Sequence, residues 1–297
     1  MVFCITGATG FVGLALCKAL IASGHRVIAV ARRSHEVLEE LASTGLLSIH
    51  RSDLQLLVMS SADLQADVFI HLAWIGTQRK DRNDPLVQAE NIPVSITLIE
   101  LAQKMGCRLF VDAGSQAEYG IVRGRITEET PCQPVTAYGK TKLKIYRESL
   151  EACGRMCMKY LHLRLFSIFG PGDHPDTLIM TALRVLRAGD PLTLRTGEQA
   201  WNYLYVADAA RIIMILCEAA IQDPCFHAEV FHVASEDTRP LREFVQAMKD
   251  TLASESVLRF GTHISPETVS LDPSMDKTRS IVVPFYLVPF EEAIHLL

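Results

Sequence analysis

Apolar residues arrive in short unbroken runs through the first two thirds of the chain: "VFCIT", "RVIAVA", "LLSIH", "DVFIHLA", "RLFVDA" and "LHLRLFSIF". Runs of this length without polar alternation predict strands buried on both faces, as in a parallel sheet. Between them, apolar positions take helical spacing over residues 11–23, 35–44, about 84–105 and 136–157. Strand alternating with helix predicts an α/β fold, a doubly wound parallel sheet covered on both faces, with right-handed crossovers.

After Gly172 the rhythm loosens. A helix near 176–188, the mixed stretch "PLTLRTGEQAWNYLYV", a helix from about Asp208, the strand "VFHVA" and a helix over 240–252 follow. The tail "FGTHISPETVSLDPSMDKTRS" carries turn and cap residues and no period. No low-complexity linker or internal repeat divides the chain.

Composition narrows the class. The 297 residues are 49% apolar and 21% charged, with a net charge of -5. That balance leaves no basic footprint, so no nucleic acid partner is expected. The apolar start lacks a basic leader region and is interrupted by three glycines, so it reads as strand, turn and helix. No run reaches about 18 apolar residues, so no membrane span is expected and the cytoplasm is the default compartment. Eight scattered cysteines, mostly inside apolar runs, suggest reduced thiols. Cys153 and Cys157 fall on one face of the expected helix, but no second ligand pair has zinc spacing, and no metal is expected.

Candidate chemistry begins at "CITGATGFVG", where Gly7, Gly10 and Gly13 lie between the first strand and the first helix. Glycines there allow a tight turn and close approach of a pyrophosphate to the helix N-terminus. A plain Gly-rich turn is the alternative; the position directly after a strand and opening a helix favours the Rossmann-like reading. The second strand ends in Ala31, Arg32, Arg33 and Ser34, with no carboxylate to take a ribose hydroxyl of NAD. Arginine suits a 2'-phosphate, which favours NADP(H) over NAD(H); a solvated arginine pair is the other reading. Tyr138 and Lys142, four apart, share a helical face, and Ser115 ends the fifth strand.

"GATGFVG", Asp53 after the third strand, "HLAW", Asn91, "GSQAEYG", "YGKTK", "LRLFSIFGPGD" and "YLYVADAA" follow in order over residues 1 to about 215. In this the chain resembles the extended short-chain dehydrogenase/reductase family, the sugar-nucleotide epimerase, dehydratase and reductase group. The resemblance implies a dinucleotide-binding domain at 1–170 and a smaller substrate-binding lobe at 171–297, with the chain returning to the sheet near 203–237. It implies Tyr138 as general acid/base, with Lys142 and an oxidised nicotinamide favouring the phenolate. Ser115 would bond the same substrate oxygen, Lys142 would reach the nicotinamide ribose, and Asn91 would help order the site. Thr9, Phe11 and Val12 would follow the phosphate turn. Asp53 and Leu54 would border the adenine, Leu72 and Ala73 the ribose, and Phe166 the nicotinamide; ordinary core packing explains Leu72, Ala73 and Phe166 equally well. His71 reads as a strand residue rather than a ligand.

The residues after Ser115 narrow the reaction. Family dehydratases carry an Asp–Glu pair where this chain has Gln116 and Ala117, and Glu118 comes one place late on a segment read as strand-like. Dehydration is therefore not expected. By resemblance the chain is closest to reductases of nucleotide-linked 4-keto-6-deoxyhexoses using NADP(H). An NAD-retaining epimerase is the first alternative, and a non-catalytic NADP-binding redox sensor the second; sensors generally lose the tyrosine or lysine, both present here.

Two departures bear on the substrate. Trp201–Asn202 stands where the family usually has Arg-Asp, and Ser167 where it has Asn. With no evident diphosphate arginine except Arg195, a smaller carbonyl compound is also open. Trp74 and Trp201 are candidates to stack on a base or sugar, or simple packing anchors. Residues 92–104 and 140–157 would form a family-type dimer interface, or would cover the sheet instead.

Overall fold

The computed structural model describes residues 1–54, 57, 64–78, 80–262 and 269–297. Six strands follow the apolar runs: β1 (Val2–Thr6), β2 (Arg26–Ala31), β3 (Leu47–Arg51), β4 (Val68–His71), β5 (Leu109–Ser115) and β6 (Lys159–Leu165). With β10 (Ala228–Val233) they form one seven-stranded sheet in the order β10-β6-β5-β4-β1-β2-β3, every pairing parallel. The order reverses between β1 and β4, so a crevice opens there beyond the carboxyl ends of the strands, where such sheets take their ligands.

Alternate residues of each strand feed opposite cores. Phe3 and Ile5 join Leu16 and Leu20 of α1 (Phe11–Ala22) and Ile212, Ile213 and Leu216 of α7 (Val206–Gln222). Cys4, Phe69 and Phe110 join Leu98, Ile99, Leu101 and Ala102 of α4 (Asn91–Lys104) and Ala152 and Cys153 of α5 (Ala137–Arg155). The apolar faces of α4 and α5 therefore cover the sheet.

Three expectations need correction. "LHLRLFSIF" is not one strand: after β6 the chain breaks at Phe166, and β7 (Ser167–Phe169) pairs with β9 (Ala200–Tyr205) in a separate sheet completed by β11 (Thr238–Pro240). The return near 203–237 thus reaches the main sheet only at β10. The helix expected over 84–105 is two, α3 (Pro85–Ala89) and α4. Pro93 explains the restart, because a proline lacks the N–H that a continuing helix needs and fits only in a first turn. Cys157 does not share a helical face with Cys153: α5 ends at Arg155 and Cys157 is exposed at φ 51°.

The small sheet lies over α6 (Leu178–Ala188), α8 (Leu241–Thr251) and α10 (Phe290–His295), with Phe169, Tyr203, Phe244 and Phe290 at its core. β8 (Leu192–Leu194) pairs with β12 (Leu258–Phe260) beside it. The tail, read as aperiodic, holds α9 (Asp276–Ile281); its residues 263–268 lie outside the described residues. All eight cysteines are free thiols. Among the described residues, no helix is long and apolar enough to cross a membrane, and no cluster of side chains fits a metal ion.

Candidate active site

The turn after β1 is built around its glycines. Gly7 has φ 75°, and a Cβ there would stand 2.6 Å from the Ala73 nitrogen and 2.8 Å from the Leu72 carbonyl carbon. A Cβ on Gly13 would meet the Gly7 oxygen at 2.2 Å. Thr9 is half-buried in the turn, and Gly10 caps α1 with no side-chain cap and no acidic residue in the first turn. The amides opening α1 are thus left for an anion, and the cradle fits a dinucleotide pyrophosphate. Arg32, Arg33 and Ser34 are exposed just beyond β2. A carboxylate does approach them from α2 (Glu36–Ala42): Glu39 accepts from Ser34 Oγ at 3.3 Å and from Arg51 at 2.6 Å. Asp53 and Leu54 follow β3, and Leu54 lines a cavity of about 470 Å³ with Ile75, Glu90, Pro93, Val94 and Thr97.

Phe11, Val12, Leu72 and Phe166 line a larger cleft of about 510 Å³, and Ser115, Tyr138 and Lys142 line the same cleft. Their convergence has a local cause. β5 ends at Ser115 and turns at once into a single 3-10 turn, Gln116–Glu118, not the strand-like continuation expected from sequence. Thr136 caps α5 by accepting the Gly139 N–H at 3.0 Å. Gly139 lies so near the turn that a Cβ would reach the Ala117 oxygen at 2.3 Å. A glycine at that one helical position lets α5 lie against the turn that follows β5, so that Tyr138 and Ser115 line one cleft.

Glu118 faces inward. Its carboxylate accepts the Ser115 backbone N–H at 2.8 Å and bonds His162 Nε2 at 3.0 Å and Arg164 Nε at 2.9 Å, all three partner residues being buried. Burial alone would raise the Glu118 carboxyl; His162, Arg164 and the Ser115 amide outweigh it and hold it below the usual range. Asp112 is likewise held low, because His162, Lys142 and His71 outweigh its burial. His71 lies within β4 between Thr6 Oγ1 (2.8 Å) and Ser95 Oγ (3.2 Å), and burial takes it down to about 4.

Around Tyr138 the side chains are closely set. Its N–H donates to the Arg82 carbonyl at 3.0 Å, and the Arg82 guanidinium stands 4.9 Å from the phenol ring centroid. The Trp74 ring meets it edge-on at 5.5 Å. Lys142, 5% exposed, donates to the Ala113 carbonyl at 2.6 Å.

Gln116, Ser167, Trp74 and Trp201 also line the cleft. Asn91 does not: buried at the start of α4, it accepts from the Ile75 N–H (2.8 Å) and donates to the Ile75 and Gln88 carbonyls, fixing the loop after β4. Arg195 is exposed and off the cleft lining. Asn202 is buried and fastens Ser235, Asp237 and Thr238, so this half of the Trp201–Asn202 pair is a brace. The sequence reading missed Arg82, Thr77, Asp173, Thr177 and Tyr203, which also line the cleft. Burial raises the Asp173 carboxyl despite its bonds from Thr177 and the His174 amide. Only "GPGD" flagged Asp173; nothing local marked Arg82, whose place depends on a long-range backbone bond.

The chain is similar to several proteins named for sugar-nucleotide chemistry. The profile of the NAD dependent epimerase/dehydratase family matches residues 3–233. A Bacillus subtilis protein described as an uncharacterized UDP-glucose epimerase, YtcB, is 23% identical over 296 residues, covering 94% of this chain and 90% of the relative. CDP-abequose synthase of Yersinia pseudotuberculosis is 24% identical over 212 residues, 71% of each chain. The solved structure of MoeE5 with UDP-glucose and NAD superposes with a TM-score of 0.83 at 25% identity, covering 100% of this chain and 97% of that one.

Proposed function

The chain belongs to the NAD dependent epimerase/dehydratase family, and on that premise we propose that it moves a hydride between a nicotinamide cofactor and a ring carbon of a nucleotide-linked sugar. One observation carries the reading: Ser115, Tyr138 and Lys142, from two separate segments, line a single cleft with Phe11 and Val12 of the glycine turn. The cofactor supplies or takes up the hydride. The protein's part is to hold one carbonyl or carbinol oxygen between the Ser115 hydroxyl and the Tyr138 phenol. Tyr138 passes the proton to or from that oxygen, with the Arg82 guanidinium 4.9 Å and the Lys142 ammonium 5.8 Å from its ring centroid.

Two finer readings follow. The exposed Arg32–Arg33 pair supports NADP(H) and hence net reduction, in our proposal of a nucleotide-linked 4-keto-6-deoxyhexose at C4. The alternative is an epimerase that keeps NAD and returns the hydride; it is favoured by the relatives named for epimerisation and by the carboxylate of Glu39 beside Ser34. A cytoplasmic location and a homodimer through the outer faces of α4 and α5 belong to the same proposal. The deciding experiment incubates the purified chain with UDP-glucose, UDP-galactose and a 4-keto-6-deoxy sugar nucleotide, with each dinucleotide in turn. Stoichiometric NADPH oxidation by the keto sugar supports the reductase. Interconversion of the hexoses with NAD carried through purification supports the epimerase. Turnover unaffected by Tyr138→Phe would sink both.

A further inference from the structure

Lys142 has a second partner that is aromatic. Its ammonium nitrogen stands 3.4 Å from the centroid of the Trp74 ring while donating to the Ala113 carbonyl at 2.6 Å. The indole is held in turn. Its Nε1 donates to Gln88 Oε1 at 3.0 Å, and the fully buried Gln88 donates from Nε2 to the carbonyls of Gly76 (2.9 Å) and Asp81 (3.1 Å). Gly76, at φ 76°, leaves no room for a Cβ, which would come within 2.8 Å of the Gln88 amide. The ring therefore has its N–H engaged by Gln88 and one face by Lys142, with the Tyr138 ring packed against it in a T-shaped contact.

We propose that Trp74 is a positioning residue that acts through Lys142 rather than a stacking platform for the substrate. An ammonium has three N–H donors. One goes to Ala113 and one meets the negative face of the indole, which attracts a cation most strongly where water is excluded. The third is left for a ligand, and the two fixed partners decide where it points. The ammonium already covers one face of the indole. The inference rests on the reading of Lys142 as the residue that meets the nicotinamide ribose.

The test is a fluorescence titration of the full-length protein with NADPH and NADH, which needs no knowledge of the sugar. Trp74→Leu, which removes the face, is expected to weaken dinucleotide binding about tenfold, and Trp74→Phe, which keeps a face, by less than about threefold. Lys142→Met is expected to weaken it at least as much, and the double variant Trp74→Leu/Lys142→Met no further, since both changes remove one interaction. Multiplying losses in the double variant, or Trp74→Phe as weak as Trp74→Leu, would overturn the inference while leaving the cofactor reading intact. Failure of the unmodified protein to bind either dinucleotide would overturn that reading and this inference together. If Trp74→Leu does not fold, Gln88→Met, which unties the indole without emptying its place, must show the same non-additivity with Lys142→Met.

Discussion

The Glu118 carboxylate and Ser115 bond each other's turn: Glu118 accepts the Ser115 N–H at 2.8 Å, and the Ser115 hydroxyl accepts the Ala117 N–H at 3.2 Å. The carboxylate is fully buried with His162 and Arg164 as its cations, so the hydroxyl is presented by a locked element. Removing one partner of such a set leaves uncompensated charge. Glu118→Gln is expected to lower stability by about 3 kcal/mol, read as a shifted denaturation midpoint, and Glu118→Leu/Arg164→Met to recover most of it.

Tyr138→Phe keeps the ring beside Trp74 and Arg82 and deletes only the proton carrier. Turnover is expected to fall about 10²- to 10⁴-fold. Dinucleotide affinity, measured by titration, should stay within about threefold, because the hydroxyl supplies at most about one hydrogen bond to it.

Two glycines with the same backbone separate strain from collision. Gly7 (φ 75°) faces the Ala73 nitrogen, while Gly24 (φ 77°) faces open space. Gly24→Ala should cost only the left-handed penalty of about 1–2 kcal/mol. Gly7→Ala should cost more and also abolish dinucleotide binding, checked by melting curves with and without NADP.

Stability should rise and then fall with pH. Burial, aided by neighbouring cations, takes His71 and His232 down to about 4 when folded, below the roughly 6.5 of an unfolded histidine. The unfolded chain therefore binds more protons across that interval, and stability grows as pH climbs through it. His162 runs the other way: burial opposes its charge, but Glu118 and Asp112 outweigh burial and raise it, so its contribution is lost as pH rises from the unfolded value through the folded one. His162→Gln should flatten the alkaline decline of the melting temperature and, because His162 helps hold Glu118 and Asp112 low, make the acid limb shallower as well.

Replacing Arg32 and Arg33 together by alanine should weaken NADP about tenfold or more by removing charge-assisted bonds, with NAD little changed. Equal losses for both dinucleotides, or none, would remove the ground for preferring NADP.

What was legible in the sequence was local. The glycine turn, the six apolar runs and the Tyr138–Lys142 spacing each express a backbone need or a period within a few residues. Three things were not legible. The break at Phe166 interrupts an apolar run that reads continuously, because apolar side chains lie on both sides of it although the two halves belong to different sheets. The restart at Asn91 lay in a helical pattern whose proline was the only warning. Arg82, Trp74 and Gln88 owe their places to contacts between distant segments, for which no short-range pattern exists.

β10 limits where the chain can be divided. Its residues, drawn from well beyond position 170, zip against β6 from Ala228↔Tyr160 to Val233↔Leu165. A fragment stopped at 170 would retain the glycine turn and the serine, tyrosine and lysine, yet leave a long bare border of amide and carbonyl groups. Such borders recruit strands from other molecules. The first half is thus no portable cassette, and swapping the back half among relatives means exchanging a piece of the central sheet.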